Sequence, residues 1–208
     1  EIMRVLNLYA GLGGNRKHWN NCEVTAIEYT PKIAKVYRDQ YPQDTVIVAD
    51  AHKYLLENHQ DFDFIWSSPP CQSHSRMIRS GRNRRSRYVD LKLYEEIMLL
   101  QADFKGQWLV ENVVPWYEPL ISPTKKVGRH LFWSNFDFDV IDPPNIKGFI
   151  NQGTVKDSER LKQWLGIEYE GNIYYDGNHC ASQVLRNAVH PDIGRQIMDC
   201  MLYKRGDK

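Results

Sequence analysis

The chain has 208 residues, 42% hydrophobic and 12% aromatic, enough for one domain with a full core and unlike a disordered segment. Its net charge of +1 excludes a polycation that grips partners through bulk charge. No apolar run approaches the roughly 20 residues of a membrane helix, and Cys22, Cys71, Cys180 and Cys200 form no Cys-x-x-Cys pair, which argues against zinc and suits a reducing compartment.

Met3 to Tyr9 is an apolar run that stops at Gly11, Gly13 and Gly14, and reads as a buried strand. The chain thus opens on a strand-like segment without a signal peptide, so a cytoplasmic location is expected. Glu23 to Ile27 reads as a second strand. Thr30 and Pro31 supply an N-cap and first helical position for a helix to about Tyr41. A third strand runs from Thr45 to Ala49 and ends at Asp50, and His52 to His59 is helical. The fourth strand, Phe62 to Trp66, leads into Ser67-Ser68-Pro69-Pro70-Cys71-Gln72.

Arg76, Arg79, Arg82, Arg84, Arg85 and Arg87 then crowd one segment with no acid before Asp90, as suits a loop that meets phosphate. Leu91 to Leu100 reads as a helix with Leu91, Tyr94, Ile97, Met98 and Leu100 partly on one face. Gln107 to Val110 is a fifth strand, followed by Glu111-Asn112-Val113, and His130 to Phe136 is a sixth. Ser158 to Leu165 and Pro191 to Met201 read as helices. This alternation predicts an α/β fold with a parallel, doubly wound sheet, whose ligands sit beyond the carboxyl ends of the strands.

The motifs fall at those ends. Glycines after the first strand permit a tight turn and close approach to a ligand. Glu28 is placed to accept both hydroxyls of a ribose, and Asp50 to accept from an adenine amino group. Singly, each acid reads more readily as a helix cap. Glycines and two acids at three successive strand ends favour a nucleotide-like cofactor. Cys71, after a rigid Pro-Pro pair, is a candidate nucleophile if its surroundings favour the thiolate, as the arginine loop would.

Taken in order, Leu6-Asn7-Leu8-Tyr9-Ala10-Gly11-Leu12-Gly13-Gly14, Pro69-Pro70-Cys71-Gln72, Glu111-Asn112-Val113 and Arg186-Asn187-Ala188-Val189 resemble the motifs of the DNA cytosine-5 methyltransferases, in the compact form of phage and prophage enzymes. The resemblance implies the class I S-adenosylmethionine-dependent methyltransferase fold, an α/β doubly wound, mostly parallel sheet, with a much reduced target-recognition region. It implies S-adenosylmethionine as methyl donor, S-adenosylhomocysteine as product, and no metal. Tyr9, Ala10, Gly11, Leu12, Gly13, Glu28, Tyr29, Asp50, Ala51, Pro69, Asn187 and Val189 would hold the cofactor. Cys71 would add to C6 of a flipped-out cytosine, Glu111 would hold N3 and the amino group, and Arg129 or His130 would meet O2.

Double-stranded DNA is the implied partner, contacted by Gln72, Ser73 and the six arginines, in the cytoplasm of a bacterium or phage-infected cell and away from membranes. Residues 1–134 would form the catalytic and cofactor-binding core, residues 135–180 a reduced recognition segment with a linker helix, and residues 181–208 the segment completing the cofactor pocket. So short a recognition segment implies a relaxed target site, or one completed by a partner subunit. Asn7 and Tyr9 stand where the family usually has Asp and Phe, His74 where it has an aromatic residue, His130 where it has an arginine, and Arg186 where it has glycine. His74 is either near enough to influence the thiolate or an exposed loop residue. An RNA-directed enzyme of the same chemistry, and a non-catalytic nucleic-acid-binding protein of this fold, remain as alternatives.

Overall fold

The computed structural model describes residues 2–76, 88–144, 155–177 and 180–206. Among these residues seven strands form one sheet: β1 (Met3–Leu8), β2 (Cys22–Ile27), β3 (Thr45–Ile47), β4 (Phe64–Ser67), β5 (Gln107–Val113), β6 (Lys125–Val127) and β7 (His130–Ser134). Their order is β3-β2-β1-β4-β5-β7-β6. The five strands from β3 to β5 are parallel, and β7 and β6 are antiparallel. From β1 the chain winds outward to β3, then crosses back to β4, so the β1–β4 seam is the topological switch point where such sheets take ligands. Register aligns Leu8 with both Ile27 and Ser67, and Ser67 with Val110, so three strand ends arrive at one level and β5 runs three residues beyond it.

Central strands of a parallel sheet are covered on both faces and therefore read as continuous apolar runs. Val5, Phe64, Trp66 and Leu109 face one layer and pack with Trp19, Ile193, Ile197 and Met201. Leu6, Leu8, Ile65 and Val110 face the other and meet Leu55, Leu93, Ile97 and Leu100. Among the described residues six α-helices complete the layers: α1 (Pro31–Gln40), α2 (Ala51–Asn58), α3 (Lys92–Ala102), α4 (Val155–Leu165), α5 (Ser182–Arg186) and α6 (Pro191–Gly206). Leu161 and Leu165 of α4 pack with Ile33 and Val36 of α1 and with Val184 and Leu185 of α5. No helix among the described residues is long and apolar enough to cross a membrane.

Several elements differ from expectation. The third strand stops at Ile47, and Asp50 is instead the N-cap of α2, accepting from the Lys53 amide at 3.2 Å. On α3 only Tyr94, Ile97 and Leu100 of the expected face are buried, while Leu91 and Met98 are exposed. The fifth strand runs three residues further than read, to Val113, because β7 pairs with its end. Strand β6 and helix α5 were not expected. β6 is a three-residue edge strand of sequence Lys-Lys-Val, and α5 has five residues, both too short for a periodic signal.

Candidate active site

The carboxyl ends of β1, β2, β4 and β5, the start of α2 and a late loop after α5 enclose a cavity of ≈ 420 Å³, of a size suited to a small-molecule cofactor and its reacting partner. One side is built on the turn after β1. Tyr9, Gly11 and Gly13 all have left-handed backbones, with φ of 55°, 55° and 74°. Glycine adopts this region freely, whereas Tyr9 occupies it at a cost that its surroundings must offset. The Ala10 amide donates to the Ile27 carbonyl at 2.9 Å, tying the turn to the neighbouring strand end. A Cβ on Gly14 would run into the carbonyl oxygen of Val189, so the turn and the late loop meet where only glycine fits.

Glu28 lies just past β2 and is buried. Its carboxylate accepts from the Gly11 amide at 3.0 Å and from the Thr30 amide at 2.8 Å. Burial pushes this carboxyl up, and the amides pull it partly back. Asp50, Ala51 and the largely exposed Tyr29 complete this wall. Behind it, Asn7 and Asn15 pair through their side-chain amides, at 2.9 and 3.4 Å. Arg16 holds buried Asp44 in a two-point ion pair at 2.8 and 2.9 Å.

The opposite side is built on β4 and β5. Ser67 ends β4, and the Pro69-Pro70 pair carries the chain to Cys71, whose carbonyl accepts from the His74 and Ser75 amides at 3.0 and 2.9 Å. That single turn fixes the thiol. Asn112 on β5 donates to the Pro69 carbonyl at 2.9 Å and accepts from the Val113 amide, so it pins the cysteine loop to the neighbouring strand. Beyond β5, Trp116 donates through its ring nitrogen to the Ser73 carbonyl at 3.1 Å.

Glu111 is buried on β5 and hydrogen-bonds the Ser68 hydroxyl. Burial raises its carboxyl to about 7, against the smaller opposing pulls of Ser68 and Arg129. Burial also raises the Cys71 thiol, the Glu111 carboxylate raises it further, and Arg129 lowers it. Among the described residues, Arg129 is therefore the cation that favours the thiolate. Arg129 donates to the Arg186 carbonyl at 2.6 Å. His130 approaches Glu111, Nε2 to Oε1 at 3.5 Å, and burial together with Arg129 lowers its imidazole to about 3.

The cavity thus brings together Cys71, Glu111, Arg129, His130, Tyr9, Ala10, Gly11, Leu12, Glu28, Tyr29, Asp50, Ala51, Pro69, Gln72, Asn187 and Val189. Gly13 stands apart, because it packs against the rings of Tyr37 and Tyr41. Ser73 and Arg76 do not line the cavity either. The Ser73 hydroxyl accepts from the Asp90 amide, and Arg76 donates to the Pro115 carbonyl at 3.2 Å. Arg79, Arg82, Arg84, Arg85 and Arg87 lie outside the described residues. His74 is not an exposed loop residue: it is buried, with Nδ1 2.6 Å from the Tyr117 hydroxyl. Sequence reasoning missed Tyr175, whose hydroxyl receives the Asn187 amide at 3.4 Å and is pushed up to about 12 by burial. It also missed Gln183 and Val184, which line the cavity from α5. No motif marks them, since only the fold brings that segment to the cavity.

The fold is that of the S-adenosylmethionine-dependent methyltransferases. It is similar over 99% of this chain and 99% of the other to the Entamoeba histolytica methyltransferase EhMeth, at TM-score 0.52 and 10% identity. Residues 3–115 match the family described as C-5 cytosine-specific DNA methylase, and the chain belongs to that family. A human tRNA (cytosine(38)-C(5))-methyltransferase is 33% identical over 120 residues, which is 54% of this chain and 31% of the human protein. The chain therefore spans about a third of the length of that curated relative. A DNMT2 mutant from Spodoptera frugiperda is similar over 53% of this chain and 35% of its own, at 24% identity and TM-score 0.38.

Proposed function

We propose that the protein transfers a methyl group from S-adenosylmethionine to C5 of a cytosine in double-stranded DNA, with Cys71 as nucleophile and Glu111 as the acid that assists it. The observation that carries the reading is that Cys71 and a buried, proton-holding Glu111 line the same cavity as the glycine turn and Glu28.

The residues present suit the cofactor. Glu28, just past β2, and Asp50, the N-cap of α2, are acids on the cavity wall, fit for ribose hydroxyls and an adenine amino group, and the turn at Gly11 leaves room for close approach. Tyr9, Ala10, Leu12, Tyr29, Ala51, Pro69, Asn187 and Val189 would complete its enclosure. When bound, S-adenosylmethionine supplies an electrophilic methyl group.

On the nucleic-acid side, C5 of cytosine is a poor nucleophile until the ring is activated. The Cys71 thiolate adds to C6, forming a carbon–sulfur bond, and electron density shifts through the C5–C6 double bond. Glu111, as the neutral acid, hydrogen-bonds N3 and neutralises the charge that develops there. Arg129 supplies positive charge beside both groups, and neutral His130 offers a ring nitrogen on the same wall. Once C5 carries the methyl group, its proton passes to water, the C5–H pair re-forms the C5–C6 double bond, and Cys71 leaves as the thiolate with the C6–S pair, restoring the aromatic ring. Because Cys71 and Glu111 lie inside a cavity, the base must leave its stack to reach them, at a few kcal/mol.

We assign recognition to residues 135–180, with a short target site or one completed by a partner subunit. The relative active on tRNA supports a second reading, in which the acceptor is RNA. The deciding experiment incubates the protein and S-adenosylmethionine with duplex DNA and, separately, tRNA, beside Cys71→Ser, followed by nucleoside mass spectrometry. 5-Methylcytosine in DNA that disappears with Cys71→Ser supports the proposal. 5-Methylcytosine in tRNA alone moves the acceptor to RNA. Product that survives Cys71→Ser overturns the assigned nucleophile.

A further inference from the structure

Glu96 is fully buried on α3 and does not line the cavity, yet both its oxygens are engaged by residues that shape it. Oε1 accepts from the Tyr9 hydroxyl at 2.5 Å and lies 3.0 Å from Nδ1 of His52. Oε2 accepts from the Ser67 hydroxyl at 2.6 Å. These partners sit on three separate connections. Tyr9 belongs to the glycine turn after β1. His52 belongs to the first turn of α2, beside Asp50 and Ala51. Ser67 closes β4, four residues before Cys71. Three short contacts on one enclosed carboxylate form a fully partnered network, which specifies geometry more strongly than isolated bonds do.

The network also accounts for two local costs. Tyr9 holds a left-handed backbone, and its hydroxyl is fixed on Glu96. The bond to Glu96 outweighs burial in favouring protonated His52, whose Nε2 faces Glu95 at 3.2 Å. The raised imidazole leans towards the positive form, which suits a buried carboxylate partner.

We propose that Glu96 is a positioning residue that sets the cofactor turn and the cysteine loop in register, so that one carboxylate governs both halves of the site. The inference rests on the proposed function, and its test reads the two halves separately. Tyr9→Phe removes one hydroxyl on the cofactor side and is expected to raise KM for S-adenosylmethionine about tenfold with a smaller change in kcat. Ser67→Ala removes one hydroxyl on the cysteine side and is expected to lower kcat about tenfold with little change in that KM. Glu96→Gln keeps the shape and removes the charge, and is expected to do both.

A lowered melting temperature for Glu96→Gln, with KM and kcat of the folded enzyme both at wild-type values, overturns the proposal in favour of a purely structural role. So does a parallel change of both constants in each single-hydroxyl variant. If Glu96→Gln does not fold, the two hydroxyl variants decide. Calorimetry with S-adenosylhomocysteine separates this inference from the function it rests on. Wild-type binding without methyl transfer overturns the proposed function alone, and the affinities of Glu96→Gln and Tyr9→Phe then decide the cofactor-side role. No wild-type binding overturns both.

Discussion

Nε2 of His130 stands 3.5 Å from Oε1 of Glu111, and the contact follows from strand register. Glu111 pairs with Phe132 and Val113 with His130 across the antiparallel β5–β7 ladder. Glu111 and His130 are thus diagonal neighbours on one face. Burial holds the imidazole neutral above about pH 3 and the carboxyl protonated below about pH 7. Between those limits they form a neutral pair rather than a salt bridge.

The rate should depend on pH through Cys71 and Glu111. On the proposed mechanism the active form has Cys71 ionised and Glu111 protonated, although the thiol titrates above the carboxyl. That form is a minor one, and its population rises with pH to about 7 and then levels. It falls only above the raised range of the thiol. kcat/KM is expected to follow this curve. In Glu111→Gln the break near pH 7 disappears, and the reduced rate climbs until the thiol has ionised.

The same carboxyl makes stability depend on pH. Its folded value, about 7, lies above its ordinary 4.5, so the folded chain keeps a proton that the unfolded chain releases. The stabilisation is fully present below 4.5, is lost as pH rises towards about 7, and is flat above. Its size is on the order of 3 kcal/mol. Unfolding free energies from urea titrations of wild type and Glu111→Gln should diverge by that amount across this window.

Restoring the family's usual acid at position 7 should not help this chain. Asn7 is fully buried and both donates to and accepts from Asn15. Asn7→Asp keeps one bond, loses the other and places a charge in the core. We expect destabilisation of about 1–3 kcal/mol at neutral pH, easing as the carboxyl is protonated. Thermal melts at two pH values test this.

Asp44 carries the two-point bond of Arg16 and accepts from the Tyr37 hydroxyl at 2.9 Å. Arg16 in turn donates to the Trp19 carbonyl at 2.6 Å. Asp44→Ala strands a buried guanidinium, so chemical denaturation should show a loss of about 3–5 kcal/mol.

Gly14→Ala tests the contact between the first turn and the late loop. The added methyl collides with the Val189 carbonyl, so the late loop must shift. S-Adenosylhomocysteine should bind at least about tenfold more weakly by calorimetry, because the third glycine of such turns serves close packing.

The central sheet was legible because Val5, Leu6, Leu8, Phe64, Ile65 and Trp66 form dense apolar runs that end at turn residues. The place of Cys71, Glu28 and Glu111 at the cavity was legible because Glu28 and Glu111 directly follow such a run and Cys71 follows one after a Pro-Pro turn. His74 was not, because its burial depends on Tyr117, 43 residues away. Glu96 was hidden for a related reason. In the sequence it is one polar residue on an amphipathic helix, and its three partners come from three different strand–helix connections. Tyr175 became part of the site only when the late segment folded back across α1.

That late segment has a temporal consequence. Gly14 leaves the ribosome some 175 residues before Val189, the residue whose carbonyl it must face, and synthesis proceeds at roughly 5–20 residues per second. The nascent chain therefore carries its cysteine loop, its acids and its glycine turn for many seconds without a closed pocket. On the proposed function, cofactor capture waits until Val189 has emerged, so a chain terminated before that point would be a thiol-bearing fragment without a closed pocket.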